Sequence, residues 1–250
     1  MSRVSSTTFR FVLTMLAALG ALDAGLASAD GNVGSVNFTL GGKRMTGDWY
    51  LSAPQTGSFG DTLAPRSSQP ALGVEITWGR EGWPALIALD VLHSYDDGVQ
   101  HFPANPFLLI PPANVRRRAR TVEIGLGVRR AWDVKGLAPY VGAGGSWVRA
   151  SIDYLMSDPS QGTYGAPGPE TGGRHSKVGY WVGGGVYRHL GPRFHMGLAG
   201  RYSKAQVEFP EWSAVRGGQG GYYFIPEPSK VEAGGRHIGL VVGWSFPRRK

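Results

Sequence analysis

The chain has 250 residues, enough for one barrel domain or two small globular domains. Its 39 glycines are about twice the average usage, and 11% aromatic residues are too many for a disordered chain. With no cysteine, the chain has no disulfide framework, thiolate metal site or cysteine nucleophile, which suits an oxidising compartment. A formal net charge of +8 fits either nucleic acid or lipid phosphates as a partner.

The first thirty residues have the layout of a secretory signal peptide. A short polar stretch with two arginines precedes the mostly apolar run Phe11–Leu22, and Ala27-Ser28-Ala29 supplies the small residues of a cleavage site. The run is shorter than the roughly 20 residues that a transmembrane helix needs, and Asp23 interrupts it. We therefore expect residues 1–29 to be removed and residues 30–250 to form the mature domain.

Eight segments of the mature chain alternate between apolar residues and small or polar residues, the period-two pattern of β-strands. The clearest is Val122–Arg129, in which valine, isoleucine and leucine alternate with glutamate, glycine and arginine. No later stretch is long and apolar enough for a transmembrane helix, so a membrane location requires a closed barrel. The alternating apolar positions of the eight segments begin at Val36, Leu72, Ala85, Val122, Val141, Val178, Phe194 and Ile238.

The connections between these segments alternate between short and long. Three short ones contain glycine, and four long ones are rich in glycine, proline, serine and aspartate. Short periplasmic turns and long extracellular loops are typical of transmembrane barrels, and three turns with four loops require eight strands. The turns lie at Arg80–Gly82, Asp133–Gly136 and Leu190–Pro192, and the loops at approximately Thr46–Gln69, Asp96–Val115, Leu155–Arg174 and Phe209–Gly235.

The polarity of the two strand faces separates a membrane barrel from a soluble lipocalin-like barrel, which is apolar inside. Here one face is aliphatic and aromatic, while the other mixes glycine with polar and charged residues, which suits the narrow interior of eight strands. Aromatic residues near the strand ends fit two interfacial girdles, although aromatic residues also favour strands in general. They are Trp78, Trp83, Trp132 and Phe246 near the turns and Tyr95, Tyr154 and Tyr202 near the loops.

The hairpin rhythm, the alternation and the last strand, His237–Phe246, resemble the OmpA/OmpW-like small outer-membrane β-barrels. Family members usually end on the aromatic residue, whereas Pro247–Lys250 follow it here. The resemblance covers nearly all of the mature chain. It implies an all-β fold, a single eight-stranded antiparallel transmembrane barrel, in the outer membrane of a Gram-negative cell. It also implies recognition of the last strand by the outer-membrane assembly machinery, and it carries over no functional motif.

Charged residues on the polar face form a predicted lumen cluster. Because unpaired buried charges are costly, these groups must pair inside a narrow barrel. The pattern allows a structural salt-bridge plug, a narrow polar pathway or an acid/base pair, and it favours the plug. The cluster comprises Lys43, Glu75, Asp90, Glu123, Arg129, Lys177 and Arg201.

A basic run at the loop-side end of the fourth strand suggests contact with lipopolysaccharide. Arginine binds phosphate in a bidentate manner, but a solvated loop end has the same composition. We expect no nucleic acid partner, because the chain has no recognisable binding motif. The residues concerned are Arg116, Arg117, Arg118 and Arg120.

The chain offers weak signals for catalysis. Asp96, Asp97 and His101 resemble acid and histidine groups at the rim of outer-membrane proteases, but those enzymes use ten strands. Lipid A deacylases carry His-x-Ser on a strand, whereas His93-Ser94 and His175-Ser176 are adjacent residues and point to opposite faces. The scattered histidines lack metal-ligand spacing, and the glycine-rich strands are not phosphate loops. We expect no catalytic residue, metal site or cofactor.

The expected function is that of a non-enzymatic outer-membrane barrel, either structural or passing small solutes. The alternative is a surface adhesion or recognition protein that binds a host or partner surface through its loops. A third reading, a lipid-modifying enzyme, has the least support in the residues.

Overall fold

The computed structural model describes residues 32–44, 69–102, 113–157, 171–208, 212–216, 222–226 and 230–246. Eight long strands account for most of them, and four short strands lie between the seventh and the last. The long strands are β1 (Asn32–Arg44), β2 (Gln69–Arg80), β3 (Leu86–Phe102), β4 (Ala113–Ala131), β5 (Leu137–Ser157), β6 (Thr171–His189), β7 (Phe194–Lys204) and β12 (Gly235–Phe246). The short strands are β8 (Gln206–Glu208), β9 (Trp212–Arg216), β10 (Tyr222–Pro226) and β11 (Lys230–Glu232).

The eight long strands form a closed barrel in the order β1-β12-β7-β6-β5-β4-β3-β2. Every neighbouring pair is antiparallel, and β1 closes the barrel by pairing with β12 from Gly34 opposite Phe246 to Arg44 opposite Arg236. The predicted fold class and the predicted count of eight strands are confirmed.

Three tight connections lie at one end of the barrel, the turn side, together with the start of β1 and the end of β12. In the turn between β4 and β5, Val134 pairs with Leu137 across Lys135 and Gly136, whose φ angles are 53° and 82°. Two positive φ angles in a two-residue loop match a type I′ hairpin, for which glycine is favoured at the second position.

The loop-side connections contain more β structure than the sequence pattern indicates. Strands β3 and β4 stay paired as far as Phe102 opposite Ala113, within the segment predicted as a loop. The fourth predicted loop contains β9, β10 and β11: β9 pairs with β10, and β11 pairs with β8, which ends one residue before that loop. A strand that extends beyond a membrane can be polar on both faces, so its period-two pattern disappears while its backbone pairing continues.

The two faces of the barrel differ sharply in polarity. On β4, Leu126 is 61% exposed on the exterior, whereas Glu123 on the interior face is 0% exposed. Other large apolar residues are exposed around the exterior, and the buried set contains most of the lumen charges. Phe246, predicted for the turn-side girdle, is instead buried. In the part of the chain that the structure describes, no helix is long and apolar enough to cross a membrane.

The height of the apolar exterior matches a lipid bilayer. Arg130 and Arg120 are exposed on the exterior of β4, and every exterior residue between them is aliphatic. Ten residues at about 3.3 Å each, tilted by about 35–45°, rise about 25 Å, the height of the apolar band on outer-membrane barrels. The chain is therefore a membrane-spanning barrel of the outer-membrane type, with a polar interior.

Candidate functional site

The lumen holds a group of buried ion pairs near the loop side, here called the loop-side tier: Lys43, Asp90, Glu123 and Arg201. Arg201 donates from Nη2 to Glu123 Oε1 at 2.5 Å and from Nη1 to Asp90 Oδ1. Lys43 Nζ lies 3.6 Å from Glu123 Oε2. These groups come from β1, β3, β4 and β7, so the tier joins opposite walls of the barrel.

Neutral groups complete the hydrogen bonds of this tier. Ser203 Oγ donates to Glu123 Oε2 at 2.9 Å. Lys43 Nζ donates to the carbonyl oxygen of Ala233 at 3.1 Å and to Thr121 Oγ1 at 3.4 Å. Since Lys43 and Glu123 are 1% and 0% exposed, these bonds replace the water that both charges lose.

A second group, the turn-side tier, lies deeper toward the turns and consists of Asn37, Glu75, Arg129 and His195. Arg129 donates to Glu75 Oε1, which also accepts from Asn37 Nδ2 at 2.8 Å. Asn37 Oδ1 lies 2.7 Å from His195 Nε2, and Ser245 Oγ lies 3.1 Å from His195 Nδ1. The tier is thus a continuous hydrogen-bonded chain across the lumen.

Aromatic rings pack against the guanidinium groups of both tiers. The Arg129 guanidinium carbon lies 3.5 Å from the ring centroid of Tyr140 and 4.7 Å from that of Tyr187. These two tyrosine rings stack with centroids 4.7 Å apart. Arg201 lies 4.6 Å above Trp181 in the same manner. Such cation–π contacts gain strength where the charged group is desolvated, and Arg129 is only 4% exposed.

Glycines on the interior face make room for the long side chains. A Cβ at Gly125 would lie 2.8 Å from Cγ of Asp90, its partner across the strands, and closer still to Oδ2. A Cβ at Gly243 would overlap Asn37 Oδ1 and His195 Nε2. At these two positions glycine makes room for the network, whereas at Gly127 and Gly144 a Cβ would meet the backbone of the neighbouring strand.

The charges of the two tiers balance. The loop-side tier has two cations and two carboxylates, and the turn-side tier has one of each. Removing one partner of a buried pair leaves an uncompensated charge, which costs about 3–5 kcal/mol. The tiers therefore act as cross-links that hold opposite strands at fixed positions.

Six of the seven residues predicted for the lumen cluster lie in these tiers. Lys177 does not: it faces the interior by register, opposite Val148, but its side chain is exposed. Of the predicted lipopolysaccharide contacts, Arg118 is half-buried and Arg120 is exposed on the exterior, 5.5 Å from the ring of Tyr95. Arg116 and Arg117 lie in β4, and their side chains are outside the described part.

The aromatic and histidine members of the site were missed from the sequence. On β6, Trp181 and Tyr187 lie an even number of residues from Gly183 and therefore share its interior face. On β5, Tyr140 shares the interior face of Gly142 for the same reason. His195 alternates with the exterior residues Phe194 and Met196, so the pattern gives its face but not its hydrogen-bond partners. Strand alternation alone would have identified these residues as interior. Because they are large and aromatic, they look like exterior residues in a membrane barrel.

Of the rim residues predicted as weak catalytic signals, His93 and Ser94 point to opposite faces, and the side chain of His101 lies outside the described part. His93 faces the exterior and Ser94 is buried inside, as adjacent strand residues must be. Ser94 Oγ pairs with Thr121 Oγ1 at 2.6 Å, and Asp97 accepts from the Tyr95 hydroxyl at 2.8 Å. No three acidic or histidine side chains of the described segments are grouped as a metal site requires.

The exterior carries a ring of exposed cations at the loop-side edge of the apolar band, here called the basic belt. Within it, Arg44 on β1 lies directly opposite Arg236 on β12, and Tyr202 on β7 is the next residue along the same row. The belt consists of Arg44, Arg120, Arg149, Arg174, Lys204 and Arg236. The belt thus marks the loop-side boundary of the apolar exterior.

No protein-family model and no curated protein matches the chain. Among solved structures, it is similar to Neisserial surface protein A, with 16% identity and a TM-score of 0.41, over 86% of this chain and 94% of that one. It is also similar to Ail, the attachment invasion locus protein of Yersinia pestis, in complex with the heparin analogue sucrose octasulfate: 10% identity, TM-score 0.37, 86% of this chain and 99% of that one. Another Ail structure gives 13% identity, a TM-score of 0.36, and 87% and 100% coverage.

Proposed function

We propose that this protein is a non-enzymatic outer-membrane barrel with a closed lumen, which serves as a structural element rather than as a solute channel. The observation that carries the proposal is the pair of ion-pair tiers, which join strands on opposite sides of the lumen. A solute that crossed the barrel would have to displace groups that are 13% exposed or less at the loop-side tier. The cost of separating such groups opposes passage.

Swelling of protein-containing liposomes in small sugars tests this function. We expect the rate to equal that of liposomes without protein, because no solute path remains through either tier. A rate that increases with the amount of folded barrel contradicts the closed lumen. A heat-dependent shift in gel mobility verifies that the barrel is folded in each preparation.

The proposed cellular route begins with secretion. The signal peptide predicted at residues 1–29 lies outside the described residues, and its removal places the mature start at Asp30. The outer-membrane assembly machinery is the proposed partner for insertion, through the last strand, β12. N-terminal sequencing of the protein from outer-membrane fractions of a Gram-negative cell tests the route. A start at Met1 contradicts it.

Surface recognition is a second candidate function, favoured by the wall of strands above the basic belt. On β4, Ala113 lies seven residues before Arg120, which corresponds to about 23 Å of paired strand beyond the membrane edge. Such a raised wall would hold the connecting loops away from the membrane, where a host or partner surface can reach them. Deleting residues 103–112 should abolish adhesion of expressing cells while the barrel still folds. Unchanged adhesion contradicts this function.

The lipid partner that we propose is lipopolysaccharide, bound through its phosphates at the basic belt. Arg44 and Arg236 are like charges on directly opposite strand positions, an arrangement that is unfavourable without an anion between them. Paired guanidinium groups bind phosphate in a bidentate manner. Of the predicted contacts, Arg118 and Arg120 share the exterior face of β4, so Arg118 extends the same chemistry beyond the belt, whereas the side chains of Arg116 and Arg117 lie outside the described part.

Binding of lipid A to the barrel in nanodiscs tests the belt. The double variant Arg44→Gln/Arg236→Gln should weaken binding of phosphorylated lipid A and leave binding of dephosphorylated lipid A unchanged. The matched control is Arg130→Gln/Arg188→Gln, which removes two exposed arginines at the turn side. Equal effects of the two double variants contradict a specific site.

A further inference from the structure

Each of the three turns has an exposed arginine at the end of the strand that leads into it. Arg80 is the last residue of β2, and Arg130 and Arg188 are the last residues but one of β4 and β6. Each lies on the same face as the lipid-facing residue two positions earlier in its strand. The three arginines therefore mark the turn-side edge of the apolar band, at the opposite end of the barrel from the basic belt.

The turns themselves carry large apolar side chains, which do not suit a surface in water. Trp83, Trp132 and Leu190, one in each turn, are 45%, 41% and 52% exposed. The turns are tight: the backbone N–H of Trp83 donates to the carbonyl of Arg80 at 3.1 Å, and that of Leu190 to the carbonyl of Phe194 at 2.9 Å. Tryptophan is enriched at the membrane–water interface. These residues indicate that the turns lie at the level of the lipid headgroups.

The arginines and the aromatic residues lie close enough together to contact one lipid. The guanidinium carbon of Arg130 is 5.6 Å from the ring centroid of Trp132. Beside Arg80, the rings of Trp78 and Trp83 meet edge to face with centroids 6.2 Å apart. A headgroup phosphate can meet the guanidinium group while the upper part of the acyl chains meets the rings.

The turn side is basic as a whole. A lysine or arginine near an anionic lipid surface strengthens association with that surface about fivefold. Acidic side chains are too few here to cancel this attraction. Of the described residues in and beside the turns that lie outside the lumen, the basic ones are Arg80, Arg130, Lys135, Arg188 and Arg193, and the acidic ones are Glu81 and Asp133.

The spacing of the three arginines separates this surface from the basic belt. Arg80, Arg130 and Arg188 lie on β2, β4 and β6, which are not neighbours in the barrel. They therefore act as single, separate charges, whereas Arg44 and Arg236 are directly opposite each other and can share one phosphate. Separate charges suit lipid headgroups that each carry one negative charge.

We propose that the turn side is a binding surface for anionic phospholipids of the periplasmic leaflet, which it collects around the barrel. Each turn contributes an arginine to the headgroup phosphate and a large apolar residue to the upper part of the acyl chains. The surface does not depend on the closed lumen, on the loops or on the basic belt. A failure of those proposals leaves it unchanged.

Contact quenching of a fluorophore in a turn tests the surface, and the absence of cysteine from the chain allows a single label. Gly191→Cys carries a bimane fluorophore three residues after Arg188, at a position where a Cβ meets nothing within 4 Å. The full barrel is refolded in phosphatidylcholine vesicles with a small fraction of phosphatidylglycerol or phosphatidylethanolamine, each bearing a nitroxide at the top of an acyl chain. Phosphatidylglycerol should quench about fivefold more strongly, the effect of one basic residue beside an anionic surface.

Charge variants assign the preference to the turn side. Arg80→Gln/Arg130→Gln/Arg188→Gln should make quenching by the two lipids equal, and high salt should do the same without these substitutions, because it screens exposed charges. The matched control Arg44→Gln/Arg149→Gln/Arg236→Gln removes three exposed loop-side arginines and should retain the preference. Heat-dependent gel mobility verifies that each variant is folded.

Three results overturn the proposal. The first is equal quenching by the two lipids at low salt when all the arginines are present. The second is a preference that survives the turn-side triple variant or that is lost equally in the loop-side control. The third is quenching by aqueous iodide but by neither lipid, which places the turns in water, where a soluble polyanion would be the partner.

Discussion

Arg201 on β7 and Asp90 on β3 form an ion pair between strands that are diametrically opposite in the eight-stranded barrel. The same guanidinium binds Glu123 on β4, so one side chain links three parts of the wall. A residue in this position sets the spacing of the barrel as well as the polarity of its lumen. The stability of the barrel and the proposed closure of the lumen are therefore coupled through Arg201.

Replacing Arg201 by methionine should destabilise the barrel by about 3–5 kcal/mol, because Asp90 and Glu123 then share one lumen with only Lys43 as a counter-charge. Urea unfolding in lipid vesicles measures the change. The double variant Arg201→Met/Asp90→Asn restores equal numbers of charges in the tier and should be more stable than the single variant. Arg188→Met, an exposed exterior control, should cost less than about 0.5 kcal/mol. Equal losses at positions 201 and 188 contradict the role of the tier.

The architecture could be predicted from the sequence because alternation has a simple physical cause. A strand between lipid and a narrow polar lumen must alternate, and Val122–Arg129 does so at every position. The pattern ends where the membrane ends, so the continuation of β3 to Phe102 could not be predicted. Lys177 has the parity of a lumen residue but lies exposed near the loop side, because parity gives a face and not a depth.

Which charged residues pair inside the lumen could not be predicted from the sequence. Alternation places Arg201 and Asp90 on the interior, but only the strand order and register bring them together across the barrel. The packing of Arg129 on Tyr140 and Tyr187 depends on the same geometry. Charges on one face indicate that pairs must form, and they do not indicate which pairs.

Substituting Gly125 by alanine should disturb the loop-side tier from a position that carries no charge. The added Cβ would meet the Asp90 carboxylate, which Arg201 holds in place, so we expect a loss of about 1–3 kcal/mol from overpacking. Urea unfolding again provides the measurement. Gly191→Ala is the matched control, since a Cβ there meets nothing within 4 Å. A neutral Gly125→Ala variant would show that Asp90 is free to move.

An arginine at Leu126 tests the contact of the apolar exterior with lipid. Leu126 is 61% exposed in the middle of the apolar band, where a basic residue should cost about 2–4 kcal/mol. The control Val134→Arg lies in a turn, is 52% exposed in the wild type, and should cost about 0–1 kcal/mol. Unfolding in lipid vesicles distinguishes the two. Equal costs contradict a membrane-facing exterior.

The stacked ring of Tyr187 should stabilise the turn-side tier through its face rather than its hydroxyl group. Tyr187→Phe keeps both the stack on Tyr140 and the contact with Arg129, and we expect a change below about 0.5 kcal/mol. Tyr187→Leu loses both contacts and should cost about 1–3 kcal/mol. Thermal unfolding in detergent, followed by gel mobility, ranks the variants. A larger loss for phenylalanine than for leucine contradicts the cation–π contact.

Single-channel recording across a planar lipid bilayer tests the closed lumen most directly. Refolded wild-type barrel, verified by its heat-dependent gel mobility, is inserted and held at moderate voltage in potassium chloride. Two intact tiers predict a current that stays at the level of the bare bilayer. Stable, ohmic conductance steps that appear only with the folded barrel contradict the account.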